Sequence, residues 1–167
     1  MNQSRRSFIK KTATAATAAG FVSLVPGMSW ARQGVAPSDQ VNIALIGCRN
    51  KGFGILKNHL DLKGVNCVGI CDVDENELDE KTQEVVDTYG QKPKKYKDFR
   101  KLLDEKDLDA VIIGTPDHWH CLPTVYACEA GKDVYVEKPM ANTIEECNLM
   151  VKAARKYNRV VQVGQQQ

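Results

Sequence analysis

The chain has 167 residues, of which 43% are hydrophobic and 26% charged, the make-up of one globular domain with enough apolar residues for a real core. Its formal charge of +2 misleads: the first 31 residues hold Arg5, Arg6, Lys10 and Lys11 and no acid, and without them 19 basic residues face 21 acidic ones, a net of −2. That balance, with no basic stripe interleaved with aromatics, gives no footing for nucleic-acid binding.

Residues 1–31 read as an address label rather than structure. "SRRSFIKK" sets a twin-arginine pair before a bulky apolar pair and lysines. "TATAATAAGFVSLVPG" is alanine-rich and too weak and short for a membrane span, and Ser29 to Ala31 offers small residues for cleavage. This order resembles signals of the twin-arginine export route, which carries folded proteins. It implies that translocation machinery as a partner and a periplasmic or otherwise exported location. A disordered basic tail is the plain alternative, and an uncleaved signal would remain as a membrane anchor. Residues 32–40 read as a linker.

From Val41 strands and helices alternate. "VNIALI" is an apolar strand ending at Gly47, and "FGILKNHLDL" has helical spacing with Phe53, Leu56 and Leu60 on one face. "VNCVGICDVD" is a second strand closing on two acids, followed by a charged helix that stops at Gly90. A very short strand is expected at Tyr96 and a helix over "DFRKLLDEK". Residues 108–115 form a strongly apolar strand, and "LPTVYACEAG" a helix stopped by Gly131. "DVYVEKP" is a strand stopped by Pro139, and Thr143 with Glu146 forms a capping box opening another helix. "RVVQVG" is a sixth strand. Such alternation predicts an α/β fold, a doubly wound parallel sheet of the Rossmann type, over residues 41–167. The chain stops just after that strand, so a second, substrate domain is expected to be missing from it. The six cysteines show no CxxC spacing and read as buried free thiols, with Cys67 and Cys71 sharing one face of their strand.

The stretch "NIALIGCRNKGFG" carries most of a dinucleotide-binding turn, G-x-G-x-x-G between strand and helix with an acid about 20 residues on. Gly47 takes the first place, for the tight turn, and Gly52 the third, for helix-on-strand packing, while Arg49 stands in the second and Asn50 lies within the turn. The Arg49 guanidinium is expected to fold over the pyrophosphate and pair with it, beside the helix N-terminus. Asp72, at the end of the second strand, is placed to accept both adenosine ribose hydroxyls and to repel a 2′-phosphate, which favours NAD over NADP. The ends of strands four and five, "GTPDHWHCLP" and "YVEKPM", converge on the same cleft.

The run "GTPDHWH…A…AGKDVYVEKPMANTIEEC" resembles the Gfo/Idh/MocA family of NAD(P)-dependent oxidoreductases, over residues 41–167. The resemblance implies a nucleotide-binding domain followed by a substrate domain built on an open β-sheet, acting on a sugar or cyclitol, and a homo-oligomer at full length. It implies that Thr115 and Pro116 line the dinucleotide, that His120 lies on the nicotinamide side and shares in catalysis, and that Glu137 meets the cofactor or orders its loop. It also implies that Lys138, aimed by a cis bond before Pro139, polarises the substrate hydroxyl. An ammonium there stabilises developing alkoxide charge and, when desolvated, can take part in proton transfer. A lysine merely snorkelling at a strand end is the plain alternative. Two rival functions share the same residues: an NAD-dependent glycosidase working by transient oxidation and elimination, and a non-catalytic nucleotide-binding subunit. Asp117, His118, His120 and Cys121 invite a metal reading, but neighbours on one short turn seldom converge, and no metal is expected. His118 reads as a solvated loop residue, Trp119 as packing against helix or cofactor, and "KPKKYK" as a solvated turn.

Overall fold

The computed structural model describes residues 39–165. The expected signal, its cleavage site and nearly all of the linker lie outside the described residues. Six parallel strands form one sheet in the order β3-β2-β1-β4-β5-β6. They are β1 (Val41–Ile46), β2 (Val65–Cys71), β3 (Lys94–Tyr96), β4 (Ala110–Ile113), β5 (Asp133–Glu137) and β6 (Val161–Gly164). The helices between them are α1 (Asn50–Leu60), α2 (Glu75–Tyr89), α3 (Phe99–Leu103), α4 (Cys121–Glu129) and α5 (Ile144–Lys156), with a 3-10 turn at Asp117–Trp119 that the sequence does not announce.

The sheet is buried on both faces, as its apolar strands require. Ile43 and Leu45 of β1 face a core made with Phe53, Leu56 and Leu60 of α1 and Leu78 and Val85 of α2. Ala44 and Ile46 face the other core, with Leu102, Ala127 and Met150 from α3, α4 and α5. The helix ends follow local chemistry. Asp74 caps α2 by accepting the amides of Asn76 and Glu77, Gly90 ends it in the left-handed region at φ 67°, and Thr143 with Glu146 forms the full capping box of α5. Lys132 is 8% exposed, and its ammonium donates to the carbonyls of Glu105 and Leu108, both at 2.9 Å, tying down the approach to β4.

One sequence expectation is overturned here. Cys67 lies in the α1/α2 core and Cys71 in the opposite one, so they do not share a face. The register between β1 and β2 slips after Cys67, with Ile43 opposite Cys67 but Ala44 opposite Gly69. The extra residue is a β-bulge, which inverts the alternation for the rest of β2.

Candidate functional site

The strand order reverses beside β1, where β2 leaves to one side and β4 to the other, and this is where open α/β sheets bind ligands. The turn after β1 is shaped by three glycines in contact. Gly47 has φ 85°, and a Cβ on it would lie 2.7 Å from the Thr115 amide nitrogen. A Cβ on Gly52 would stand 2.2 Å from the Gly47 carbonyl oxygen, and one on Gly114 2.4 Å from the Gly52 Cα. The backbones of the turn, of α1 and of the β4 end therefore meet with no room for side chains. Asn50 opens α1 at φ 26°, which asparagine tolerates better than most residues. Helix α1 starts with neither a side-chain cap nor an acid in its first turn, leaving its N-terminal amides and dipole to an outside anion.

The carboxylate of Asp72 faces this turn. Its Oδ2 accepts the Cys48 amide at 2.8 Å and its Oδ1 the Asp74 amide at 3.0 Å. A carboxylate has about four acceptor positions, so two remain for hydroxyls. Burial, and after it the Asp72 charge, pushes the Cys48 thiol up to about 12, so this sulfur is an inert filler of the turn. Arg49 departs from its expected place. Its guanidinium pairs with Asp74, and its Nε lies 3.6 Å from Glu77, so it crosses to the start of α2 instead of folding over the turn. The Glu77 amide and then Arg49 hold the Asp74 carboxyl below the usual carboxylate range.

A cleft of about 470 Å³ opens at the switch point, bringing together Gly47, Asp72, Thr115 and Pro116. Its lining also includes Trp119, expected to pack against helix or cofactor, and three residues that the sequence reading missed: Val73, Phe99 and Arg100. Val73 and Trp119 are 88% and 46% exposed, apolar surface of the kind a flat heterocycle covers. These residues come from the loop after β2, the start of α3 and the 3-10 turn, and no local pattern joins them. The residues fit a dinucleotide. The glycine cradle admits a phosphate close to the backbone, and the Thr115 hydroxyl on the cleft wall has no partner among the described residues.

Lys138 and Glu137 stand apart from that cleft, at the end of β5. Lys138 is exposed, its peptide bond to Pro139 is cis as expected, and its amide donates to Glu137 Oε2 at 3.1 Å. Glu137 is 4% exposed, so its carboxylate is held inside the fold beside that turn. His120 requires a correction. It is 1% exposed, with Nδ1 2.7 Å from the Pro139 carbonyl oxygen and Nε2 2.8 Å from that of Thr115. The ring is buried with both nitrogens facing main-chain carbonyls, one of which a neutral imidazole's single N–H serves, so neither edge is open to a substrate. His120 joins the β4 loop to the turn that presents Lys138, as a positioning residue rather than a catalytic one. His118 and Trp119 lie on the cleft, and His118 is exposed beside Asp117.

This geometry defines a dinucleotide-binding domain of the Rossmann class. The model of the Gfo/Idh/MocA oxidoreductase family, described as having an NAD-binding Rossmann fold, matches residues 41–165, and the chain belongs to that family. A glycosyl hydrolase family 109 protein of Shewanella baltica is 33% identical over 93% of this chain, which spans 38% of that relative's length. Among solved structures, a myo-inositol 2-dehydrogenase from Lactobacillus plantarum superposes with a TM-score of 0.66 at 27% identity, covering 75% of this chain and 36% of that one. The WlbA dehydrogenase from Chromobacterium violaceum, in complex with NADH and UDP-GlcNAcA, gives 0.62 at 32% identity, covering 75% and 35%.

Proposed function

We propose that the protein is an NAD-dependent oxidoreductase that oxidises a hydroxyl of a sugar or cyclitol. The observation that carries this reading is the glycine cradle Gly47–Gly52–Gly114 facing Asp72 across the switch point. In this reading the first-turn amides of α1 hold the pyrophosphate, Asp72 takes the adenosine ribose, and Thr115 and Pro116 line the cofactor. A nicotinamide ring bound here supplies the hydride acceptor. Lys138 donates a hydrogen bond to the substrate oxygen as alkoxide character grows, which lowers the barrier where charge appears. His120 and Glu137 hold the turn that presents it. The inositol dehydrogenase and WlbA likenesses support a polyol or sugar substrate.

A second reading is favoured by the family 109 relative. In an NAD-dependent glycosidase the oxidation is transient: it acidifies the C–H beside the new carbonyl, the aglycone is eliminated, and the oxidation is then reversed. Both readings use the same residues. "SRRSFIKK" and the apolar run after it support export by the twin-arginine route to the periplasm, where free dinucleotide is scarce and a retained cofactor is favoured. The family resemblance supports a homo-oligomer at full length. Native mass spectrometry of the intact protein tests the cofactor, with retained NAD expected. Incubation with polyols and with glycosides then separates the two readings, since net NADH marks a dehydrogenase and sugar release without net NADH a glycosidase. Intact protein that neither retains nor binds a nicotinamide nucleotide overturns both.

A further inference from the structure

We propose that Asp74 and Glu77 are specificity residues: by engaging the Arg49 guanidinium they complete the choice of NAD over NADP that Asp72 begins. The inference rests on the nucleotide-binding reading above.

Arg49 occupies the one fingerprint position where the chain departs from glycine. Its side chain leaves the turn toward the adenosine side, where it pairs with Asp74 and Glu77 and lies within the field of Asp72. Asp74 is tied to Asp72 through its own amide, so the ion pair is built directly onto the carboxylate that faces the ribose. A 2′-phosphate arriving there brings two negative charges and three acceptor oxygens. An unengaged arginine would meet it with a planar fork and make the site accept NADP. Here the fork is already engaged: its Nη2 pairs with Asp74 and its Nε lies 3.6 Å from Glu77.

The other cations at the cleft are held in the same way. Lys97 pairs with Glu75 at 2.9 Å and Arg100 with Asp98 at 3.1 Å. A phosphate therefore has to break an existing ion pair before gaining one, against the field of Asp72. Neutral ribose hydroxyls meet no such obstacle. NAD specificity is thus distributed over Asp72, Asp74 and Glu77, and Arg49 is a masked phosphate ligand.

The test measures NAD and NADP affinities by calorimetry on the intact protein, in three forms: wild type, Asp74→Asn with Glu77→Gln, and that pair with Arg49→Ala added. Asparagine is as good a helix cap as aspartate, so α2 keeps its start. Freeing the guanidinium is expected to improve NADP binding relative to NAD by about tenfold, the scale of one charge-assisted hydrogen bond. Removing Arg49 should cancel that gain. If the double variant shows no gain, or the gain survives without Arg49, the inference is overturned while NAD binding stands. Wild-type protein that binds neither dinucleotide overturns the function reading itself.

Discussion

The amide of Cys48 donates to the carboxylate of Asp72 at 2.8 Å, joining the turn after β1 to the end of β2. The acid that the sequence marks for ribose is therefore also a structural acceptor for the turn that would hold pyrophosphate. Replacing Asp72 acts on both.

Asp72→Asn is expected to weaken NAD binding by about ten- to a hundredfold, since hydrogen bonds to a charged group contribute about 1.5–3 kcal/mol. The asparagine amide can accept from only one of the two main-chain donors while also serving a ribose. Calorimetric titration checks the loss, and the NAD-to-NADP ratio should narrow at the same time.

Lys138→Ala in the intact protein should lower kcat by about a hundredfold or more, the scale of removing one donor from developing oxyanion charge. Lys138 does not line the adenosine cleft, so the dissociation constant for NAD should barely change. Steady-state kinetics with a responsive polyol or glycoside, paired with NAD titration, reads both. Unchanged turnover would remove Lys138 from the mechanism.

His120→Ala removes a buried ring that lies against the Thr115 and Pro139 carbonyls, and should destabilise the fold by about 1–3 kcal/mol in chemical denaturation. His120→Gln keeps an amide donor and should recover part of that loss. Because the ring acts through the Lys138 turn, His120→Gln should lower kcat more than it raises the KM for NAD.

The glycines offer a paired test. Gly114→Ala drives a methyl to 2.4 Å from the Gly52 Cα, so the helix-on-strand contact must open, with a cost of about 3 kcal/mol or loss of folding. Gly54, two residues further along α1 than Gly52, has nothing within 4 Å of a Cβ, and Gly54→Ala should stabilise by about 1 kcal/mol, as in other helix interiors. Thermal or urea unfolding distinguishes the two directly.

Buried thiols set the alkaline limit. Burial pushes Cys67 up to about 12, and burial with Asp72 does the same for Cys48 and Cys71, against an ordinary value of 9.0. The unfolded chain releases these protons first, so stability is full below about pH 9 and falls as pH rises toward 12. Urea midpoints measured across that window should decline. Native protein at pH 8 should leave these three sulfurs unlabelled by a thiol reagent that modifies them readily after unfolding.

The order of strands and helices, the caps at Gly90 and Thr143, the Gly47–Gly52 turn and Asp72 at a strand end were all determined by the sequence alone. Each is written in a few neighbouring residues, through apolar period, capping chemistry or the need for φ above zero. The tertiary structure alone decided what those residues touch. Gly114 becomes part of the cradle only because β4 lies beside β1, and Arg49 meets Asp74 only because β2 delivers α2 to the same edge. His120, expected on the nicotinamide side, becomes a bridge only because the turn after β5 folds over it. The bulge that separates Cys67 from Cys71 arises in the pairing of two strands, which neither strand encodes by itself. Local periodicity is a short-range property, whereas side-chain partners some 25 residues apart are chosen by how the sheet assembles.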